Sequence, residues 1–272
     1  MGEMKSDIMR GKRGLIMGVA NEKSIAWGMA KTLHEHGAEL AFTYQGEAFG
    51  KRVKPLAESV GSSFVVDCDV SKEEDLDNLF AAVKQEWGEI DFIIHAIAFS
   101  DKEELKGRYV DTSLENFTNS LHISCYSFTS VMRRAAPMMK PGSSAVTLSY
   151  YGAEKAMPNY NVMGVAKAAL EASVKYLAAD LGPDGIRVNA ISAGPMRTLA
   201  GAVIGNARTT FKYNQVTSPL QRSVELEELG GSGLYLLSDL SGAVTGEVHY
   251  VDCGFNAVGM PQPDKLKLFG EK

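Results

Sequence analysis

Cysteine is scarce in this chain of 272 residues. Cys68, Cys125 and Cys253 stand far apart, with no Cys-x-x-Cys pair and none of the histidine spacing of a zinc site. A disulfide framework and a metal motif are therefore not expected, and the thiols read as reduced and intracellular. Long apolar runs are missing as well. Nowhere do about 18 apolar residues stand together, as a membrane helix requires, and Met1 to Lys12 carries charges throughout without the apolar stretch of a leader peptide. The expectation is a cytoplasmic protein with no membrane partner. Positive charge is not in excess: 28 Lys and Arg against 33 Asp and Glu give a formal net charge of −5. No basic field gathers nucleic acid, so that partner is set aside too. Internal repeats, low-complexity tracts and linkers rich in Pro, Gly and Ser are absent. With 45% hydrophobic residues, residues 1–272 can bury one core as a single domain.

What the sequence does have is a rhythm. Leu15 to Ala20 is apolar on both faces, as in a strand buried between two layers of helices. Ile25, Ala26, Met29, Ala30 and Leu33 then recur at helical spacing, and Gly37 follows where a helix commonly ends. Further apolar runs at Leu40 to Tyr44, Phe64 to Val66, Phe92 to Ile94, Ala145 to Leu148, Arg187 to Ile191 and Glu247 to Val251 bring the count to about seven strands. Most are separated by helical patterns. Strands alternating with helices across short connections predict an α/β fold, a Rossmann-type doubly wound parallel sheet with helices on both faces. The stretch from Gly194 to Arg222 breaks the pattern. It is long for a connection in a compact domain and reads as a substrate-covering segment, the alternative being a pair of short surface helices.

Ligands of such sheets bind beyond the carboxyl ends of the strands. Gly18, Ser24 and Ile25 occupy the first turn there, where glycine admits close approach and the following helix points its N-terminus at a phosphate. Ser24 can offer its hydroxyl to the free amides of that helix. No tight G-x-G-x-x-G is present, however, and Gly18 by itself is also an ordinary turn. Gln45 ends the second strand, Asp69 and Val70 the third, and His95-Ala96-Ile97-Ala98 the fourth. Gln45 can hydrogen-bond a free ribose hydroxyl but offers no cation to a 2′-phosphate, which favours NADH over NADPH; Lys51 and Arg52 nearby argue the other way. His95 reads as a packed polar residue rather than a catalyst.

Chemistry concentrates in Ser149 to Lys167. At about 100° per residue, a helical reading brings Lys167 back to the face of Tyr160 after about two turns, so a phenol and an ammonium share one cleft. Several motifs together resemble the short-chain dehydrogenase/reductase superfamily, and within it the bacterial NADH-dependent enoyl-acyl-carrier-protein reductases. They are Gly18-x5-Ser24-Ile25-Ala26, Phe42-Thr43-Tyr44-Gln45, Cys68-Asp69-Val70, Leu148-Ser149-Tyr150, Pro158 to Gly164 with Lys167, and Val188 to Pro195. A Lys seven positions after the Tyr, where most of the superfamily has it four positions on, the altered glycine loop, and His95-Ala96-Ile97-Ala98 in place of Asn-Asn-Ala-Gly single out the enoyl reductases.

The resemblance implies reduction of the trans-2 double bond of an enoyl thioester carried by acyl carrier protein, the last reductive step of fatty acid elongation. Hydride from NADH reaches the β-carbon, and the resulting enolate is stabilised by Tyr160 and Lys167. Lys167 would also hold the nicotinamide ribose. Tyr150 would line the acyl pocket and assist at the thioester oxygen, although Tyr151 beside it leaves the direction of either ring open. Ile97 would pack along the nicotinamide, Met196 and Thr198 would contact its carboxamide and the pyrophosphate side, and Ser100 would touch substrate. No metal is implied. Family members are usually homotetramers, and Phe117, Leu121, Phe128 and Val131 suit either a subunit contact or the protein's own sheet. The rival readings are a β-ketoacyl (carbonyl) reductase of the same fold, against which the Tyr to Lys spacing speaks, and a dinucleotide sensor, which needs neither residue.

Overall fold

A computed structural model describes residues 5–198 and 207–262. Its strands are β1 (Arg13–Met17), β2 (Glu39–Tyr44), β3 (Val65–Asp67), β4 (Ile90–His95), β5 (Met139–Ser149), β6 (Arg187–Ala193) and β7 (Val248–Val251). All pair in parallel in the order β3-β2-β1-β4-β5-β6-β7. The helices are α1 (Ile25–Glu35), α2 (Gly46–Ser59), α3 (Glu73–Glu86), α4 (Leu114–Leu121), α5 (Ser127–Ala135), α6 (Val162–Leu181), α7 (Ala207–Thr217) and α8 (Leu226–Leu237). The doubly wound sheet expected from the alternation is present.

The uninterrupted apolar runs follow from burial on both sides. Leu15, Met17, Ile93, Ala145, Val188 and Ala190 face residues of α3, α5 and α6, among them Leu79, Phe128 and Leu170. Their neighbours Ile16, Phe42, Phe92, Ile94, Val146 and Ile191 face Met29, Val53 and Leu229 of α1, α2 and α8. Successive side chains on a strand point to opposite faces, so a strand between two helical layers needs apolar residues at every position. Each fully buried Leu, Ile or Phe contributes about 1.5–3 kcal/mol.

Two sequence expectations are corrected here. The first strand ends at Met17 instead of running to Ala20, because Gly18 turns away with φ +101°. The third strand ends at Asp67, which leaves Asp69 and Val70 in the turn beyond it. Phe128 and Val131 belong to the core beside the sheet, and Phe117 and Leu121 pack against the cluster around Tyr160. Exposed apolar side chains are instead Leu114 on α4, Tyr126 just before α5, and Val165 and Tyr176 on α6.

α4 and α5 are joined without a break by a π-helical turn, His122–Tyr126. Such turns carry one residue more than an α-helix would. This one directs Ser124 inward, where its hydroxyl accepts the Phe99 amide at 3.0 Å and faces the Phe99 carbonyl at 3.1 Å.

Candidate active site

The sheet reverses direction of growth between β1 and β4, and a crevice opens beyond their carboxyl ends. Gly18 sits there under two constraints. Its φ is positive, and a Cβ would stand 2.1 Å from the Ala96 carbonyl oxygen. Glycine is demanded by the approach of the turn to the end of β4. Ser24 departs from expectation: its hydroxyl accepts the amides of Ala20 (2.9 Å) and Asn21 (3.1 Å), folding the turn on itself, and does not cap α1. The helix that Ile25 opens thus begins without a side-chain cap, with amide hydrogens and the positive end of its dipole at the crevice. That arrangement fits a pyrophosphate.

Gln45 and Asp69 meet just beyond the ends of β2 and β3. Burial works against the Asp69 anion, but hydrogen bonds from Ser71 and Gln45 and the charge of Lys72 hold its carboxyl below the usual range. Ser71 donates through its amide (3.0 Å) and its hydroxyl (2.6 Å). Val70 is buried beneath. Lys51, the sequence's argument for a 2′-phosphate, pairs with Glu47 one turn away at 2.8 Å. The polar groups gathered here suit an unphosphorylated ribose.

His95 is fully buried at the end of β4. Its Nδ1 lies 3.1 Å from the Thr147 hydroxyl and its Nε2 2.9 Å from that of Ser127, with the ring against Phe128. Burial, reinforced by the charge of Lys167, pulls its pKa down to about 3. The imidazole is a neutral tie between β4, β5 and α5. Below its ordinary pKa of 6.5 the unfolded chain takes up a proton that the folded chain refuses. Stability should therefore fall as pH drops from 6.5 toward 3, by up to about 1.4 kcal/mol per unit. Urea midpoints between about pH 7 and pH 5 should decline in the native protein, and the part due to this residue should be missing in His95→Gln. Equal declines in both would refute the assignment.

Beyond β4, Ile97 packs on the core beside α3, α5 and α6, while Ala98 and Phe99 are exposed. The Ser100 hydroxyl donates to Asn116 Oδ1 at 3.2 Å, and the same oxygen receives the Asp101 amide (2.9 Å) and the Ser120 hydroxyl (3.2 Å). Asn116 and Ser124 fix this loop. Neither is signalled by the sequence, because a polar residue on an amphipathic helix ordinarily faces water.

Tyr160 precedes α6 and does not lie on it, so the helical-phase argument is corrected. The phenol stands between Asn159 (φ 60°) and Asn161 (φ 41°), in a left-handed turn that asparagine tolerates. The Asn161 amide anchors the turn by donating to the Glu104 and Leu105 carbonyls at 3.2 and 3.3 Å. Of the residues between Tyr160 and Lys167, Asn161 belongs to this turn and the rest open α6. Gly152 and Gly164 make room: a Cβ on the first would lie 2.5 Å from the Tyr160 ring, and one on the second 2.8 Å from the Gly152 oxygen. Tyr150 meets Tyr160 edge to face at 5.0 Å, whereas Tyr151 turns to Tyr250 and Phe255. The ring direction left open by the sequence is thereby assigned. Lys167 on α6 donates to the Leu148 carbonyl at the end of β5 at 2.7 Å.

Electrostatics divides the labour. Burial, with Tyr150 and Glu171 adding, pushes the Tyr160 phenol far above its ordinary range, and burial raises Tyr150 to about 12. Both remain proton-bearing donors. Burial draws Lys167 down to about 8 against the opposing influence of Cys125 and Glu171. It is an ammonium near neutral pH that is lost readily in mild base.

Met196, just past β6, packs toward α1, α2 and α8, and the Thr198 amide donates to the Met196 carbonyl at 2.9 Å. Of the stretch 194–222, residues 199–206 lie outside the described residues. α7 supplies an ordered helix with Asn214 and Thr217 buried, Tyr213 rests against Phe255, and Arg222 grips Glu228 of α8 with two nitrogens at 2.7 and 2.5 Å.

Residues 18–256 match the sequence model of the family described as enoyl-(acyl carrier protein) reductase. The chain belongs to that family. An NADH enoyl-[acyl-carrier-protein] reductase of Rhizobium meliloti is 60% identical over 261 residues, 96% of this chain and 97% of the relative. A counterpart from Aquifex aeolicus is 47% identical, over 97% of this chain and 99% of the relative. Among solved structures, the enoyl-(acyl-carrier-protein) reductase of Anaplasma phagocytophilum in complex with NAD superposes with a TM-score of 0.92 at 57% identity, covering 97% of this chain and 98% of the other.

Proposed function

We propose that this chain is an NADH-dependent enoyl-acyl-carrier-protein reductase acting on the trans-2 double bond of the carried thioester. The observation that carries the reading is the convergence at the end of β5 of a buried, proton-bearing Tyr160, its edge-on partner Tyr150 and the buried ammonium of Lys167. NADH, when bound, supplies the hydride. Gly18, Ser24 and Ile25 shape the pyrophosphate turn, Gln45, Asp69 and Val70 receive the adenosine side, and Ile97, Met196 and Thr198 border the nicotinamide. Lys167 holds the ribose and sets positive charge beside the oxygen that becomes anionic. Tyr160 donates its O–H to that oxygen, Tyr150 lines the acyl pocket, and Ser100 lies on the substrate side of the loop after β4. Stabilising developing negative charge with preoriented donors in a dry site is the largest contribution a protein makes to such a reaction.

The proposal extends to one domain over residues 1–272 with 194–222 covering the substrate, to a cytoplasmic location, and to a homotetramer. Among the described residues no helix is long and apolar enough to cross a membrane. Exposed Tyr126, Val165 and Tyr176 favour the tetramer, since apolar side chains on neighbouring helices gain from being covered. The decisive experiment follows NADH oxidation with a trans-2-enoyl thioester, beside the matching β-ketoacyl thioester and beside NADPH. Oxidation with the enoyl substrate and NADH is expected. Turnover of the keto substrate alone would make the protein a carbonyl reductase, and tight NADH binding without turnover a sensor.

A further inference from the structure

We propose that Glu171 is a positioning residue of this site: clamped by Ser149 one helical turn beyond Lys167, its carboxylate keeps that lysine in the ammonium form. The inference rests on the role assigned to Lys167 above and adds the group that sustains it.

The geometry is a double grip. Leu148 and Ser149 are consecutive at the end of β5, and Lys167 and Glu171 lie four apart on α6, hence on one face. The Lys167 ammonium donates to the Leu148 carbonyl at 2.7 Å, while the Ser149 hydroxyl donates to Glu171 Oε1 at 2.5 Å. Lys167 and Ser149 are buried, and Glu171 is half-buried. No carboxylate lies within salt-bridge distance of Lys167 among the described residues. A buried ammonium held by a carbonyl alone would shed its proton to escape the cost of desolvation. A fixed anion one turn away opposes that loss without taking the ammonium's hydrogen bonds, which stay free for a ribose.

The surroundings bear this out. The groups facing Lys167 are Cys125 of the π turn, His95 of β4 and Glu171; His95 is neutral, and Cys125 and Glu171 both favour the charged amine. Facing Glu171 are Lys167 and Lys175 of its own helix, Glu154 after β5, Tyr160, and Tyr250 of β7. Burial, with Glu154 adding, pushes the Glu171 carboxyl above its ordinary range, and the Ser149 bond and the charges of Lys175 and Lys167 limit that rise. Ser149 therefore does two things: it helps keep Glu171 ionised and fixes its carboxylate at the end of β5. A purely structural role, tying β5 to α6, would need the hydrogen bond but not the charge.

Glu171→Gln separates the two roles, because the amide keeps the shape and can still accept from Ser149. The state of Lys167 is read directly by competitive labelling of the whole protein with acetic anhydride across pH, followed by mass spectrometry of its peptide. In Glu171→Gln the labelling midpoint should move about one pH unit toward acid, and the alkaline limb of kcat/KM for the enoyl thioester should move with it. Ser149→Ala should shift both in the same direction by less, and it decides the matter alone if Glu171→Gln does not fold. Midpoints that coincide with the native protein, even beside a uniformly lower rate, would overturn the proposal. A midpoint that moves while the kinetic limb stays would keep the coupling of Glu171 to Lys167 and overturn the catalytic reading of Lys167.

Discussion

Tyr160→Phe is expected to lower kcat for a trans-2-enoyl thioester by about 10²–10³, the usual effect of deleting one donor to a developing oxyanion. The phenol is buried, and burial holds its proton far above the working range of pH, so in the native protein the hydroxyl is always a donor. Phenylalanine keeps the ring between Gly152 and Tyr150. The fold and the NADH affinity should survive while the rate does not, and stopped-flow turnover beside a thermal melt separates the two. Unchanged turnover would transfer the donor's role to Tyr150, whose edge-on ring is the nearest replacement.

Lys167→Met is expected to weaken NADH binding by about 10- to 100-fold, the range for losing a hydrogen bond from a charged group, and to lower turnover further by removing positive charge from the site. Methionine fills the buried channel and leaves the Leu148 carbonyl without its donor, a contact of 2.7 Å in the native protein. Fluorescence titration of NADH reports the first effect and steady-state kinetics the second. Normal cofactor affinity would remove the ribose contact from the assignment. Because burial brings the lysine down to about 8, native turnover should also decline through mildly alkaline pH as the ammonium is lost.

The sheet was readable because its physics is written locally. Runs such as Phe92-Ile93-Ile94, apolar at every position, arise only where both faces are covered, and the helices between strands carry their own period. Lys167, Tyr160 and Gln45 were readable as residues, but their placement was not. Helical phase could not reveal the left-handed turn at Asn159 and Asn161, and the strand that ends at Met17 looks no different in sequence from one running to Ala20. Ser24 showed the opposite limit: a residue suited to capping was used within its own loop. Asn116, Ser124 and Glu171 escaped because their meaning depends on partners between 15 and 25 residues away in the chain. Such pairings exist only once the sheet has brought its ends together.

The π turn at His122–Tyr126 sets an angular phase along the rod from α4 to α5. Each residue of an α-helix advances the rod by about 100°, so the one surplus residue accommodated in that turn decides which way α4 looks once α5 is anchored under the sheet by Phe128 and Val131. With it, Asn116 faces the loop at Ser100 and Asp101. Without it, the same sequence would aim a different side of α4 at that loop, and a single-residue deletion in the turn would act as a rotation of the helix that packs Phe117 and Leu121 against the cluster around Tyr160.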